Sequence, residues 1–179
     1  MSRSDLTCPK CLGHAVQRSQ RSGLFERLLS LLYIYPFRCQ GCGYRFLKMR
    51  WRRRYTRLPE ERREYERLPL SVPVMLSSAT GAAPGRATEI SIDGCTVETE
   101  APLSEGALVH LVVHPAPGAT PIAVDAAVVH GLLPNGGGLH FVRIHPAERD
   151  RLRHFVADLL AQRALSREPR RGSDVSGPR

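Results

Sequence analysis

The chain has 179 residues, of which 42% are hydrophobic, 6% aromatic and 24% charged; this is a globular composition with room for one ordinary domain or two small ones, and it excludes a collagen-like chain, a coiled coil and a disulfide-dense mini-protein. The net charge of +9 is unevenly placed, with 16 Lys and Arg against 6 Asp and Glu up to Arg67 and 10 against 11 beyond it. The first third should meet a polyanionic partner, or the two parts should have different partners.

Met1 to Leu12 is polar and does not read as a secretory leader. The most apolar window, Leu24 to Phe37, is interrupted by Glu26 and Arg27 and falls short of the roughly 20 residues of a spanning helix. The expectation is a soluble, cytoplasmic protein. Residues 1–50 form a first unit bounded by two cysteine pairs, Cys8 with Cys11 and Cys39 with Cys42. Between them, Ser22 to Tyr35 has helical spacing: Leu24, Leu28, Leu31, Leu32 and Tyr35 share a stripe, Ser22 can cap the start and Pro36 ends it. So large an apolar face should pack on something.

Two CxxC pairs supply four thiolates, the soft tetrahedral set that zinc prefers, and Gly41 and Gly43 allow the tight backbone of a knuckle. The 27 residues between the pairs exceed a usual ribbon loop, and the helical insert accounts for the excess. With the shell filled by Cys8, Cys11, Cys39 and Cys42, the zinc site is structural and leaves no position for catalytic water. The competing reading is a redox-active or merely adjacent set of cysteines. His14 is expected at the surface, and Cys95 as a small buried hydrophobe.

A basic connector follows over residues 51–67, with Arg50 at its edge. Arg50, Arg52, Arg53 and Arg54, with Trp51 and Tyr55 among them, could grip nucleic acid through phosphates and stacked bases. The same residues could extend a ligand-binding arm, contact a protein, or be drawn to anionic lipid headgroups.

Residues 68–165 read as strands closed by a helix. Leu70 to Leu76, Ala87 to Ile92, Cys95 to Thr99, Ala107 to His114, Ile122 to His130 and Gly138 to Ile144 are the strands. Asp93 and Gly94 make a hairpin-type turn, and Pro115 to Gly118 and Pro134 to Gly138 separate later strands. Pro146 opens a helix with Leu152, Phe155, Val156, Leu159 and Leu160 on one face. Residues 166–179 are poor in apolar side chains and read as a disordered tail.

Arg63 and Arg67 form an RxxxR element just before the first of these strands, and Glu89, Ser91 and Gly94 form ExSxxG about twenty residues on. Gly138 and Phe141 add a late GxxF ahead of the terminal helix. In this order and spacing, residues 60–162 resemble a PilZ domain, whose pattern is RxxxR followed by (D/N)xSxxG. The resemblance implies a mainly β fold: a small six-stranded antiparallel barrel with a C-terminal helix, here preceded by the zinc ribbon. It also implies a non-enzymatic receptor for cyclic di-GMP, a bacterial second messenger. Arg63 and Arg67 would hold phosphates or a guanine edge, and arginine forks suit both. Ser91 and Gly94 would meet the ligand on the barrel, with Gly94 small enough for close approach. Glu89 departs from the pattern: it keeps the acceptor but adds a methylene, and a misplaced carboxylate costs on the order of 1–3 kcal/mol.

The reading is therefore a bacterial signalling protein that binds cyclic di-GMP and relays it to a protein partner through the ribbon. The alternative is a zinc-ribbon nucleic-acid-binding regulator with a degenerate, non-binding barrel. No nucleophile–base pair, open metal site or phosphate loop suggests an enzyme.

Overall fold

The computed structural model describes residues 6–20, 23–51, 65–78 and 81–167. The N-terminal unit contains β1 (Val16–Arg18), α1 (Gly23–Leu31), β2 (Ile34–Cys39) and β3 (Arg45–Met49), with the three strands in one antiparallel sheet of order β1-β2-β3. Its core is small: Leu6, Tyr35 and Phe37 are buried, with Val16, Tyr33 and Phe46 packed around them.

The helix expected over Ser22 to Tyr35 is shorter. Ser22 lies outside the described residues, and α1 ends at Leu31. Tyr33 adopts a left-handed φ of 60°, which breaks the helix, and Ile34 and Tyr35 already belong to β2. The leucine stripe carries a helical period, but Tyr35 and Phe37 alternate with a period of two and fill the sheet's core. Pro36, expected as a helix stop, lies inside the strand.

The helix also faces the opposite way from expectation. Its stripe points to solvent, and Glu26 is the residue turned inward. Burial of that carboxylate is compensated by Arg45 on β3, whose guanidinium lies 2.7 Å from it.

The second unit is a closed barrel of β4 (Leu68–Ser78), β5 (Gly81–Ile90), β6 (Gly94–Glu98), β7 (Leu108–Val113), β8 (Ile122–Leu133) and β9 (Gly136–Arg143), in the order β4-β5-β6-β9-β8-β7. All neighbouring strands are antiparallel, and β4 pairs with β7 to close the ring. Closure removes the exposed edges that an open sheet of this size would present. Alternating apolar residues fill the interior, among them Leu76, Ile90, Val97, Leu111, Val124 and Leu139. Then α2 (Pro146–Arg167) adds Leu152 and Val156 to the same core, with Phe155, Leu159 and Leu160 packed against it. Cys95 lies in this core, fully buried, as a small hydrophobe; burial pushes its thiol up to about 12 against the pull of Arg67.

Several strands run further than their sequence suggests. Ala82 to Arg86 precedes the strand expected from Ala87, yet it pairs with β4. Pairing with β6 begins only at Arg86, so Pro84 sits on an edge where its missing N–H breaks no ladder. Likewise β8 continues to Leu133 and β9 starts at Gly136, which reduces the Pro134 to Gly138 turn to a two-residue hairpin. Of residues 166–179, expected as a tail, Ser166 and Arg167 belong to α2, and residues 168–179 lie outside the described residues.

The two units meet at Tyr65 and Glu66, immediately before β4. One Glu66 carboxylate oxygen accepts from Gln17 Nε2 of β1 at 2.5 Å, and the other from Arg163 Nη1 of α2 at 2.7 Å. The Glu66 backbone N–H donates to Oε1 of the buried Gln40 side chain at 2.6 Å. Arg38 Nη1 donates to the Tyr65 hydroxyl at 2.7 Å, with its guanidinium 5.2 Å from the Tyr65 ring centre. Gly43 has φ +74°, and an added Cβ there would approach Ile92 Cδ1 at 3.0 Å and the Tyr65 hydroxyl at 3.2 Å. Charge-assisted hydrogen bonds of this kind contribute about 1–3 kcal/mol each when partly shielded.

Glu66→Ala should therefore broaden the ribbon-to-barrel distance distribution, measured by double electron–electron resonance between spin labels on the two units. The melting temperature of the barrel itself should change little.

Candidate functional site

A cleft of about 670 Å³ opens on the barrel surface where β5, β6, β8 and β9 meet the segment before β4. It is lined by Arg67, Glu89, Ser91 and Gly94, the described residues of the two sequence motifs. Tyr65, Asp93, Thr96, His130, Gly138 and His140 complete its polar and aromatic wall, and Leu132, Leu133 and Leu139 its apolar part. Arg63 lies outside the described residues, as do Arg52, Arg53 and Arg54 of the basic connector. Arg50 is half-buried, and its backbone N–H donates to the Tyr33 carbonyl at 2.8 Å.

The register explains why the motif residues converge. Glu89 on β5 stands opposite Thr96 on β6, so both side chains project from one face. Thr96 Oγ1 donates to Glu89 Oε2 at 3.1 Å and accepts from Arg67 Nη1 at 2.7 Å. The Arg67 guanidinium lies 3.8 Å from the same Glu89 oxygen. Arg67 is thus held in the cleft by a threonine hydroxyl and a partly exposed carboxylate. Both are displaceable: an ion pair of this exposure is worth roughly 1 kcal/mol or less.

Ser91 and Gly94 shape the turn between β5 and β6. The Ser91 N–H donates to the Gly94 carbonyl at 2.8 Å, and its buried hydroxyl donates to that carbonyl at 3.1 Å while accepting from the Asp93 N–H at 3.3 Å. This is a side chain holding its own turn. Gly94 has a packing reason of its own: an added Cβ would run into the Leu139 carbonyl of β9. The need for glycine there arises first from the barrel wall rather than from a bound molecule.

Sequence reasoning missed several cleft residues. Thr96 could have been found from the strand register, two residues beyond Gly94 and on the Glu89 face. His130 and His140 arrive from β8 and β9, and nothing local in sequence connects them to the motifs. His140 Nδ1 lies 3.5 Å from Asp93 Oδ2, which leaves a carboxylate and an imidazole at the rim. At Gly138 the tight neighbour is the strand beside it: an added Cβ would sit 3.0 Å from the His130 carbonyl oxygen and at ordinary contact distance from the Arg67 guanidinium. Among the described residues, the cleft therefore offers the Arg67 guanidinium for an anionic oxygen, carboxylate acceptors for N–H groups, and a tyrosine at its edge.

A second group stands in the ribbon. The Sγ atoms of Cys8, Cys11, Cys39 and Cys42 all lie within 4.8 Å of one another, and among the described residues they form the group that could hold a metal ion. The sulfurs pair across the knuckles, Cys8 to Cys42 and Cys11 to Cys39, at 3.6 Å each. Metal–sulfur bonds of about 2.3 Å in a tetrahedron put sulfurs about 3.8 Å apart, so the four thiols fit such a centre. Burial raises the Cys39 and Cys42 thiols. For Cys8, burial acts in the same direction, but the backbone N–H groups of Cys11 and Lys10, with the neighbouring thiols, outweigh it and lower its pKa. His14 is outside this set, exposed, with Nδ1 3.4 Å from Thr7 Oγ1.

The clash between a Cβ at position 94 and the Leu139 carbonyl yields a stability prediction. Gly94→Ala should destabilise the protein by about 2 kcal/mol or more in urea unfolding, because backbone cannot yield as a side-chain tip can.

Comparison with known proteins agrees with this geometry. No curated protein is similar in sequence. The solved structure of the Bacillus subtilis inhibitor of motility (MotI/DgrA) is similar in fold, with a TM-score of 0.51 and 19% identity over 69% of this chain and 60% of that one. The chain thus spans less than two thirds of that protein's length. The PilZ domain matches residues 61–158, more than half of the chain, and its span takes in the RxxxR element, the complete barrel and the first part of α2. A closed six-stranded barrel with a C-terminal helix, and a cleft at which Arg67 meets Glu89, Ser91 and Gly94, accompany that match: the chain belongs to the PilZ domain family.

Proposed function

We propose that the protein is a bacterial receptor for cyclic di-GMP, acting in the cytoplasm as a signalling module and not as an enzyme. The observation that carries this reading is the convergence of Arg67 with Glu89, Ser91 and Gly94 in one cleft. A cyclic dinucleotide brings phosphates and guanine edges. Arg67 would leave Thr96 and Glu89 for a phosphate or guanine O6/N7, and the Glu89 carboxylate would then accept from a guanine N–H edge. Arg63, four residues earlier, would close the arm over the ligand.

Relay follows from where the arm is tied. Tyr65 and Glu66 lie between the two arginines, and they are the residues that hold the ribbon. Movement of Arg67 onto ligand would shift these neighbours and so reorient the ribbon, which presents the signal to a protein partner. In calorimetry, cyclic di-GMP should bind in the micromolar range or tighter, and Arg67→Ala should weaken it at least tenfold. Glu89→Asp, which withdraws the carboxylate from Arg67, should tighten binding about tenfold. No heat with wild-type protein would mean a barrel without its ligand. Binding with an unchanged ribbon-to-barrel distance by double electron–electron resonance would leave the receptor and remove the relay.

Zinc is the ion we assign to the cysteine cluster. It suits four thiolates in a closed tetrahedral shell, and such a site contributes folding free energy rather than catalysis. Purified protein should carry one zinc per chain by mass spectrometry. Chelation or Cys39→Ser should unfold the small ribbon, seen as loss of its amide protection in hydrogen exchange, while the barrel keeps its protection.

A further inference from the structure

The N-terminal unit carries an apolar surface that the ligand cleft does not use. Leu24, Phe25, Leu28, Leu31 and Leu32 are each 62–76% exposed. At roughly 100° per residue they occupy one arc of about 120° on α1 and its C-terminal extension. The arrangement is specific, because the acidic residue of the helix is the one turned inward. Glu26 is buried and neutralised by Arg45, which leaves the outward arc free of negative charge. Leu47 and Met49 follow Arg45 at alternate positions of β3, so they share the sheet face that α1 is tied to, and both are exposed. Trp51, 70% exposed, comes two residues after Met49.

Charge decides what this surface fits. Over residues 6–51 there are two Lys and six Arg against Glu26 alone. The unit stays positive even when four thiolates surround a divalent ion. A groove on an acidic protein would also take a convex apolar arc, so what borders the arc decides between it and a lipid surface. Leucines and phenylalanine on one arc, cations around it and a tryptophan at the border are the composition of a helix that lies in a lipid–water interface. We propose that α1 docks the N-terminal unit onto the surface of an anionic lipid bilayer, with the leucine arc in the headgroup–acyl boundary and Arg27, which flanks the arc, among the headgroups. Among the described residues no helix is long and apolar enough to cross a membrane, so this contact is peripheral. It does not depend on the ligand assigned to the cleft.

The test mixes the full-length, metal-loaded chain with vesicles of phosphatidylglycerol and phosphatidylcholine in equal parts, and with phosphatidylcholine alone. The protein should sediment with the anionic vesicles only, and the emission of Trp51, the chain's single tryptophan, should shift to the blue. Leu28→Asp/Leu31→Asp should cut partitioning about tenfold or more. A milder Leu28→Gln/Leu31→Gln pair should lower it in the same direction, and Leu28→Met/Leu31→Met should preserve it. Absence of sedimentation with anionic vesicles overturns the proposal. So does sedimentation that both polar pairs leave intact, which would assign binding to the basic residues alone. A wild-type dimer that the polar pairs dissociate would overturn it too, giving the arc to a second copy of the chain.

Discussion

Glu66 is the residue on which the arrangement of the two units depends. Its carboxylate joins β1 of the ribbon to α2 of the barrel, and its backbone N–H is taken by Gln40 beside the cysteine knuckle. Ribbon, arm and C-terminal helix are far apart in sequence, and one partly buried acid brings them to a common point. The hydrogen bonds are made to a charged group with limited solvent access, which gives them more weight than surface pairs. The ribbon is therefore positioned by the same stretch of chain that enters the cleft on the barrel.

The cleft has a corresponding economy. Arg67 is already oriented by Thr96, and Thr96 is oriented by Glu89. A guanidinium fixed in this way loses less freedom on meeting an anion than one waving in solvent. The cost is that a ligand must replace a hydrogen bond and a loose ion pair. Glu89, the departure from the family pattern, is the carboxylate that meets both Thr96 and Arg67.

Much of this was legible in sequence because it rests on local periods and short spacings. The strand rhythm, the CxxC pairs and the face of α2 are local signals, and each was found where the structure has it. What was not legible was long-range. Helical spacing over Ser22 to Tyr35 merged two elements, because a leucine stripe and an alternating strand overlap at Tyr35. The direction in which α1 faces depends on Arg45, nineteen residues after Glu26. His130 and His140 join the cleft only once the barrel has closed. Ala82 to Arg86 was not legible as strand, because a proline on a strand edge carries no penalty that sequence alone can see.

The two halves of the family pattern answer to different pressures. Ser91 closes its own turn, and Gly94 clears the carbonyl of the neighbouring strand, so folding alone demands both. Arg67 has no comparable duty inside the barrel. The SxxG half of the pattern is thus accounted for by the architecture of the barrel, whatever the cleft holds.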